Sequence, residues 1–323
     1  MSAFHYAISL DMINRHYSEP NRNRYESKYY WEELYTLIAA AGFNRIEIPY
    51  EPVWQFGGRS GVPMTQYSIN TKYGDAKQYK AFLADAGIDA VSAISFDANL
   101  FVRNNQLGFY FGASGHFASQ AIEFAEELEA ECLVLSPTAY AGRLQHYHPN
   151  LNVDDASFIE QTRELISNLA SKAKAAGVKL ALRPEYWSLL SIETLTHLVA
   201  ESDNHVGIAL NTAHLQLAGA DTTAFIADNA ARISYIQLAD TQLNDCASFR
   251  HAANPAFPPA QATQVFSDVG CGEVPLTQAM QSLQQAGYNG QVSLCNHQTR
   301  DPMRALLRNR RFVNQLATQL TGA

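Results

Sequence analysis

Four short apolar runs in this chain stop abruptly in groups that can do chemistry. They read Leu180-Ala-Leu-Arg183-Pro-Glu185, Gly207-Ile-Ala-Leu-Asn211-Thr-Ala-His214, Ser234-Tyr-Ile-Gln237-Leu-Ala-Asp240 and Gln291-Val-Ser-Leu-Cys295-Asn-His297. Arg183 stays charged at any ordinary pH, so it could hold an oxygen on which negative charge develops. Glu185 and His214 are candidates for moving a proton, with Asp240 sharing it or orienting a neighbour. Asn211, Gln237 and His297 could contact the hydroxyls of a ligand. Trp187 could stack on a sugar ring, although rim packing explains it equally well. Glu47, at the end of an earlier run, faces either a cavity or a helix. Cys295 could be a nucleophile, but no base stands beside it, and a buried inert thiol is the simpler reading.

Something must hold these groups together, and the chain repeats a unit that can. A helical stretch ends in Ala-Gly and an apolar run follows at once, at Ala41-Gly42, Ala86-Gly87, Ala176-Gly177 and Ala286-Gly287. Gly at that place allows the left-handed turn that ends a helix. The intervening helices are amphipathic. Ile159, Thr162, Ile166, Leu169 and Ala173 share one face, after Asp154 and Asp155 at the helix start. Another helix begins at Pro275 with Leu276, Met280 and Leu283 inside. Runs with apolar residues at successive positions suit parallel strands buried on both faces. They fall near 4–9, 45–49, 90–94, 132–135, 179–182, 206–210, 235–238 and 292–294, about as many as a closed (β/α)8 TIM barrel needs. An open doubly wound sheet would carry a Gly-rich phosphate loop, and no G-x-G-x-x-G occurs.

The 323 residues, 47% of them hydrophobic, can fill one such barrel as a single domain spanning 1–323. Two long connections interrupt the alternation, at 51–79 (with Trp54, Phe56, Gly57, Gly58 and Tyr67) and at 240–272 (with Pro255, Pro258 and Pro259). Long loops at the C-terminal ends of barrel strands cover substrate, and either could also serve a homo-oligomer contact. A net charge of -8 argues against nucleic acid as partner. The basic residues Arg304, Arg308, Arg310 and Arg311 read as a solvated helix face. No run is long enough to span a membrane, no basic-then-apolar leader opens the chain, and the four cysteines lack paired spacing. A cytoplasmic protein is expected.

With the strand ends placed, nearly the whole chain resembles the xylose isomerase-like barrel superfamily, most strongly from Lys179 to His297. That superfamily includes sugar and sugar-phosphate isomerases and epimerases, inosose dehydratases and endonuclease IV-type repair enzymes. The marks are Leu-Arg183-Pro-Glu, Asn211-Thr-Ala-His214, Gln237-Leu-Ala-Asp240, Gly270-Cys-Gly272-Glu and Gly287-Tyr-Asn-Gly-Gln-Val-Ser-Leu-Cys295. The resemblance implies a divalent metal among a Glu, an Asp, a His and a second Glu at four strand ends, with carboxylates moving protons beside it. Here Arg183, Asn211, Gln237 and Cys295 stand in those places. Guanidinium and amide groups are poor ligands, so the usual cation is expected to be missing. His214 and Asp240 keep their places in the pattern.

Three readings follow. In the first, Arg183 replaces the metal and the protein is a metal-independent isomerase, epimerase or lyase. It acts on a carbohydrate-like carbonyl compound, with no cofactor. In the second, Glu185, His214, Asp240 and His297, each two or three residues further along, hold a displaced Zn or Mn nearer the rim. In the third, the barrel binds or senses a sugar without turning it over, and Arg183 merely pairs with Glu185, Asp240 or Glu47.

Overall fold

Each expected strand forms. The computed structural model describes residues 4–13, 22–52, 61–98, 102, 106–243, 265–297 and 299–320. Eight parallel strands close a barrel in chain order. They are β1 His5–Ser9, β2 Arg45–Pro49, β3 Ala90–Asp97, β4 Cys132–Ser136, β5 Lys179–Leu182, β6 Val206–Asn211, β7 Ile233–Leu238 and β8 Gln291–Leu294. The observed strands reach further than expected at the C-terminal end of β3, β4 and β6, which brings Asp97 and Ser136 to the mouth.

A helix follows every strand: α1 Lys28–Ala40, α2 Ala76–Asp85, α3 Leu107–Glu127, α4 Ala156–Ala175, α5 Ile192–Glu201, α6 Thr222–Asn229, α7 Leu276–Gln285 and α8 Pro302–Leu320. Side-chain caps start several of them. Asp155 accepts from the Ser157 and Phe158 amides at α4, and Ser191 accepts from Thr194 at α5. The inner face of α4 is set by Phe158, Thr162, Leu165, Ile166 and Leu169, with Ile159 only half-buried. The inner stripe is therefore rotated slightly from the expected one. Asp154 is not a cap, because its carboxylate accepts from the Ser191 amide instead. Gly42, Gly87, Gly177 and Gly287 all take positive φ, between 70° and 87°.

The two long connections are only partly described. Trp54, Phe56, Gly57 and Gly58 lie outside the described residues, as do Pro255, Pro258 and Pro259. The rest of 51–79 is more regular than a loop. Thr65 caps a helical turn at Gln66–Ser68, a wider turn spans Ile69–Tyr73, and α2 begins at Ala76. The Arg304 and Arg308 side chains are not merely solvated, since both reach the Asp268 carboxylate and tie α8 to the segment after β7.

Inside the barrel, Ala93, Cys132, Val134, Ala181 and Ala209 pack around Tyr235, whose hydroxyl meets Ser92 Oγ at 2.8 Å. Ser92 is an extra residue on β3, because Ile46 pairs with Val91 and Glu47 with Ala93. Ser234 is the corresponding extra residue on β7, where Ile208 pairs with Ile233 and Ala209 with Tyr235. The second bulge dictates a glycine across from it. A Cβ on Gly207 would lie 1.8 Å from Ser234 Oγ and 2.8 Å from the Arg232 carbonyl oxygen. Gly207→Ala should therefore cost about 1–3 kcal/mol in urea unfolding. Ser234→Ala should recover only part of the loss, because the backbone oxygen remains.

Candidate functional site

The barrel mouth is ringed by the last inward side chains of the strands, and one ion pair organises them. Arg183, directly after β5, points its guanidinium into the mouth with 12% of the side chain exposed. Its Nη2 lies 2.7 Å and its Nε 2.8 Å from Glu185 Oε1. Nε also donates to Ser136 Oγ at the end of β4, 3.0 Å away, and that hydroxyl donates to the same Glu185 oxygen at 2.9 Å. The other Glu185 oxygen accepts from Trp187 Nε1 at 2.8 Å. Burial lowers the Arg183 pKa, but Glu185, Asp97, Asp11 and Glu47 outweigh it and hold the guanidinium above its ordinary value.

The network runs on across the mouth. Arg183 Nη1 makes a long contact, 3.5 Å, to Gln237 Oε1, which also accepts from Asn211 Nδ2 at 3.4 Å. Gln237 Nε2 donates to Glu47 Oε1 at 2.8 Å, and Ser9 Oγ donates to the same oxygen at 3.2 Å. Glu47 Oε2 is buried without a partner among the described residues. Glu47 thus faces the mouth and not a helix.

An aromatic layer covers one side. Trp187 is fully buried, with Tyr140, Tyr186, His214 and Phe266 around it. No indole face is open, so the structure makes Trp187 an anchor for Glu185 and not a stacking platform. His214 is buried 4.2 Å from the Trp187 ring centre, and its Nδ1 has no partner among the described residues. Burial, then the charges of Arg183 and His297, push its pKa well below the usual 6.5 and keep the imidazole neutral. His297 Nδ1 pairs with Asp11. Phe266 lies over the His297 ring at 4.1 Å. Cys295 is buried, and burial pushes its thiol pKa well up, so it is no nucleophile in this state.

Asp240 is held by main-chain donors. Its Oδ1 accepts from the Thr241 and Val274 amides, and its Oδ2 from those of Gly270 and Gly272, at 2.8–3.2 Å. Burial raises its pKa while these four donors pull it down. A Cβ on Gly272 would sit 2.2 Å from Asp240 Oδ1. The carboxylate fills a nest of backbone N–H groups and fastens the segment after β7.

A family model described as "Xylose isomerase-like TIM barrel" matches residues 35–316. The chain belongs to that family. An L-ribulose 3-epimerase structure superposes with a TM-score of 0.69 at 16% identity, covering 98% of this chain and 96% of that one. A barrel of the family from Mycobacterium smegmatis, in complex with magnesium, gives a TM-score of 0.66 at 16% identity and 99% coverage of each. A fusion protein joining a barrel of the family to 4-hydroxyphenylpyruvate dioxygenase gives 0.66 at 17% identity. The match covers 98% of this chain and spans 43% of the length of that fusion. At such identities the likeness establishes the fold. No functionally curated protein matches the chain.

The residues of this xylose isomerase-like barrel do not fit a divalent metal at the family's position. Arg183 puts a positive charge there. Asn211 Oδ1 is occupied by the His214 amide as the cap of the turn after β6, and Gln237 Oε1 accepts from two donors. Cys295 is held as a neutral thiol. The displaced set fares no better, because both oxygens of Glu185 and both of Asp240 are taken. Among the described residues, no three of His, Cys, Asp and Glu are grouped to hold a metal. Asp11, Asp97, Ser136 and Phe266 complete the site and were missed from the sequence. Asp97 and Ser136 end strands at the mouth, so asking for the last inward residue of every strand would have found them.

Two measurements test this arrangement. Glu185→Gln strands a buried guanidinium and should cost about 3 kcal/mol in thermal or urea unfolding, whereas the double variant with Arg183→Met should lose less. His214 has a folded pKa below its unfolded value, so the stability it allows is complete above about pH 6.5 and drains as pH falls below that. A His214→Met variant should lose that part of the acid sensitivity in unfolding midpoints compared between pH 7 and pH 5.

Proposed function

We propose that this barrel isomerises, epimerises or eliminates water from an uncharged polyhydroxylated carbonyl compound, by proton transfer, without a divalent metal. The observation that carries the reading is a permanently charged guanidinium inside the polar mouth of a sugar-type barrel. Among the described residues Arg183 Nη1 has only a long contact, so N–H capacity remains for a ligand oxygen. When a proton leaves the carbon beside a carbonyl, negative charge moves onto the oxygen. A fixed cation over Ala181, Ala209 and Tyr235 stabilises that oxygen in low-dielectric surroundings, for about 3 kcal/mol. Asn211 and Gln237 offer amides to hydroxyl groups.

The choice of an uncharged compound follows from charge. Glu185 neutralises Arg183, while Glu47, Asp97 and Asp11 add negative charge nearby. The backbone nest that could cradle a phosphate is already filled by Asp240. A phosphate ester would meet these carboxylates at a guanidinium already paired with Glu185.

A second reading, a sugar-binding barrel without turnover, draws support from the sealed Trp187 and the fully engaged Glu185. A panel of ketoses, keto-inositols and their phosphate esters separates the two. Expected is turnover of a free compound, unchanged by chelator, with Arg183→Met losing roughly two to three orders of magnitude in kcat/KM. Binding without turnover across the panel would favour the second reading. Preference for the phosphate esters would overturn the charge argument.

A further inference from the structure

Resting on the proton-transfer reading, we infer that Glu47 is the catalytic base, in place of Glu185 and Asp240. The carboxylates that the sequence offered for proton transfer, Glu185 and Asp240, are engaged at both oxygens. Glu185 accepts from Arg183, Ser136 and Trp187, and Asp240 accepts from four backbone amides. At most of these positions a substrate would have to displace or share a donor already in place. Glu47 differs. It is 1% exposed, one oxygen is fixed by Ser9 and Gln237, and the other is buried without a partner among the described residues. A buried carboxylate oxygen that the protein leaves unsatisfied is one for a water, an ion or a ligand group to meet.

The placement suits the chemistry. Gln237 touches Glu47 through Nε2 and Arg183 through Oε1, so one side-chain amide separates the base from the cation. A carbonyl compound beside that amide can set its C–H against Glu47 Oε2 and its oxygen against the guanidinium. The C–H bond breaks, and the proton goes to Oε2. The electron pair forms a carbon–carbon double bond, and the carbonyl oxygen becomes an enolate held by Arg183. Return of the proton to the neighbouring carbon, with a hydroxyl proton passing to the first oxygen, gives the isomer. Nothing is oxidised or reduced overall, and no further reactant is consumed. Gln237 is a positioning residue, since its amide orients the base without taking a proton.

The test follows deuterium entering the carbon beside the carbonyl in D2O, by NMR, with the free ketose that the wild type turns over. Glu47→Gln should slow incorporation at least 100-fold through kcat, with KM changed only a few-fold and the melting temperature kept within a few degrees. If Glu47→Gln does not fold, Glu47→Asp is read instead. It keeps the carboxylate but withdraws it by one methylene, and exchange should slow at least tenfold while the pH profile keeps its shape. Exchange at the wild-type rate in a folded variant overturns the role of Glu47 and leaves the proton-transfer reading standing. A wild type that exchanges no deuterium with any compound overturns that reading, and this inference with it.

Discussion

A guanidinium cannot rest in the mouth of a barrel without an anion beside it, and most of the site follows from that demand. Taking both charges out of water is costly, so the pair survives only with every remaining lone pair matched. Glu185 meets Arg183 from two positions along the same strand end. Ser136 and Trp187 then complete the carboxylate, and Trp187 in turn requires the aromatic layer of Tyr140, Tyr186, His214 and Phe266. The far side of the guanidinium leads through Gln237 to Glu47 and Ser9. Side chains from β1, β2, β4 and β7 are thus oriented by one charge that follows β5. Such a network is stiff because loosening one member unsatisfies the next.

The same economy of donors separates the two kinds of carboxylate in the molecule. Asp240 and Glu185 are structural in effect: one fastens a glycine segment by its amides, the other immobilises a cation. Glu47 is held at one oxygen only. Hydrogen-bond occupancy, more than position along a strand, is what distinguishes Glu47 from the other two.

Much of the fold could be read from the sequence because barrel strands and their Ala-Gly stops are local signals. Arg45–Pro49 and Lys179–Leu182 have the expected bounds, and every strand sits within a few residues of its apolar run. The types of residue at the mouth could be read too. Their partners could not. Arg183 and Glu185 lie two apart, a spacing that puts both on one side of an extended chain, so the ion pair was available from periodicity alone. Three of the four donors that occupy Asp240 are main-chain groups thirty or more residues later, and main-chain donors leave no trace in residue identity. Burial of Trp187 depends on Phe266, which arrives from a distant segment. The family resemblance supplied the metal-site comparison, but only the geometry shows how far Arg183, Asn211 and Gln237 are engaged with neighbouring groups.

The paired serine bulges carry an implication for how this barrel can vary. Ser92 and Ser234 each add one residue to a strand, and the two strands, β3 and β7, stand four apart around the closed sheet. Each half of the barrel therefore repeats the same irregularity at the same step. The pairing steps from Ile46–Val91 to Glu47–Ala93 and from Ile208–Ile233 to Ala209–Tyr235, so the residues beyond each serine keep the facing of an uninterrupted strand. Asp97 would therefore face the mouth with or without Ser92, and Gln237 with or without Ser234. The barrel can therefore vary at either serine without re-aiming its mouth, losing the hydroxyl that meets Tyr235 in one half and gaining room beside Gly207 in the other.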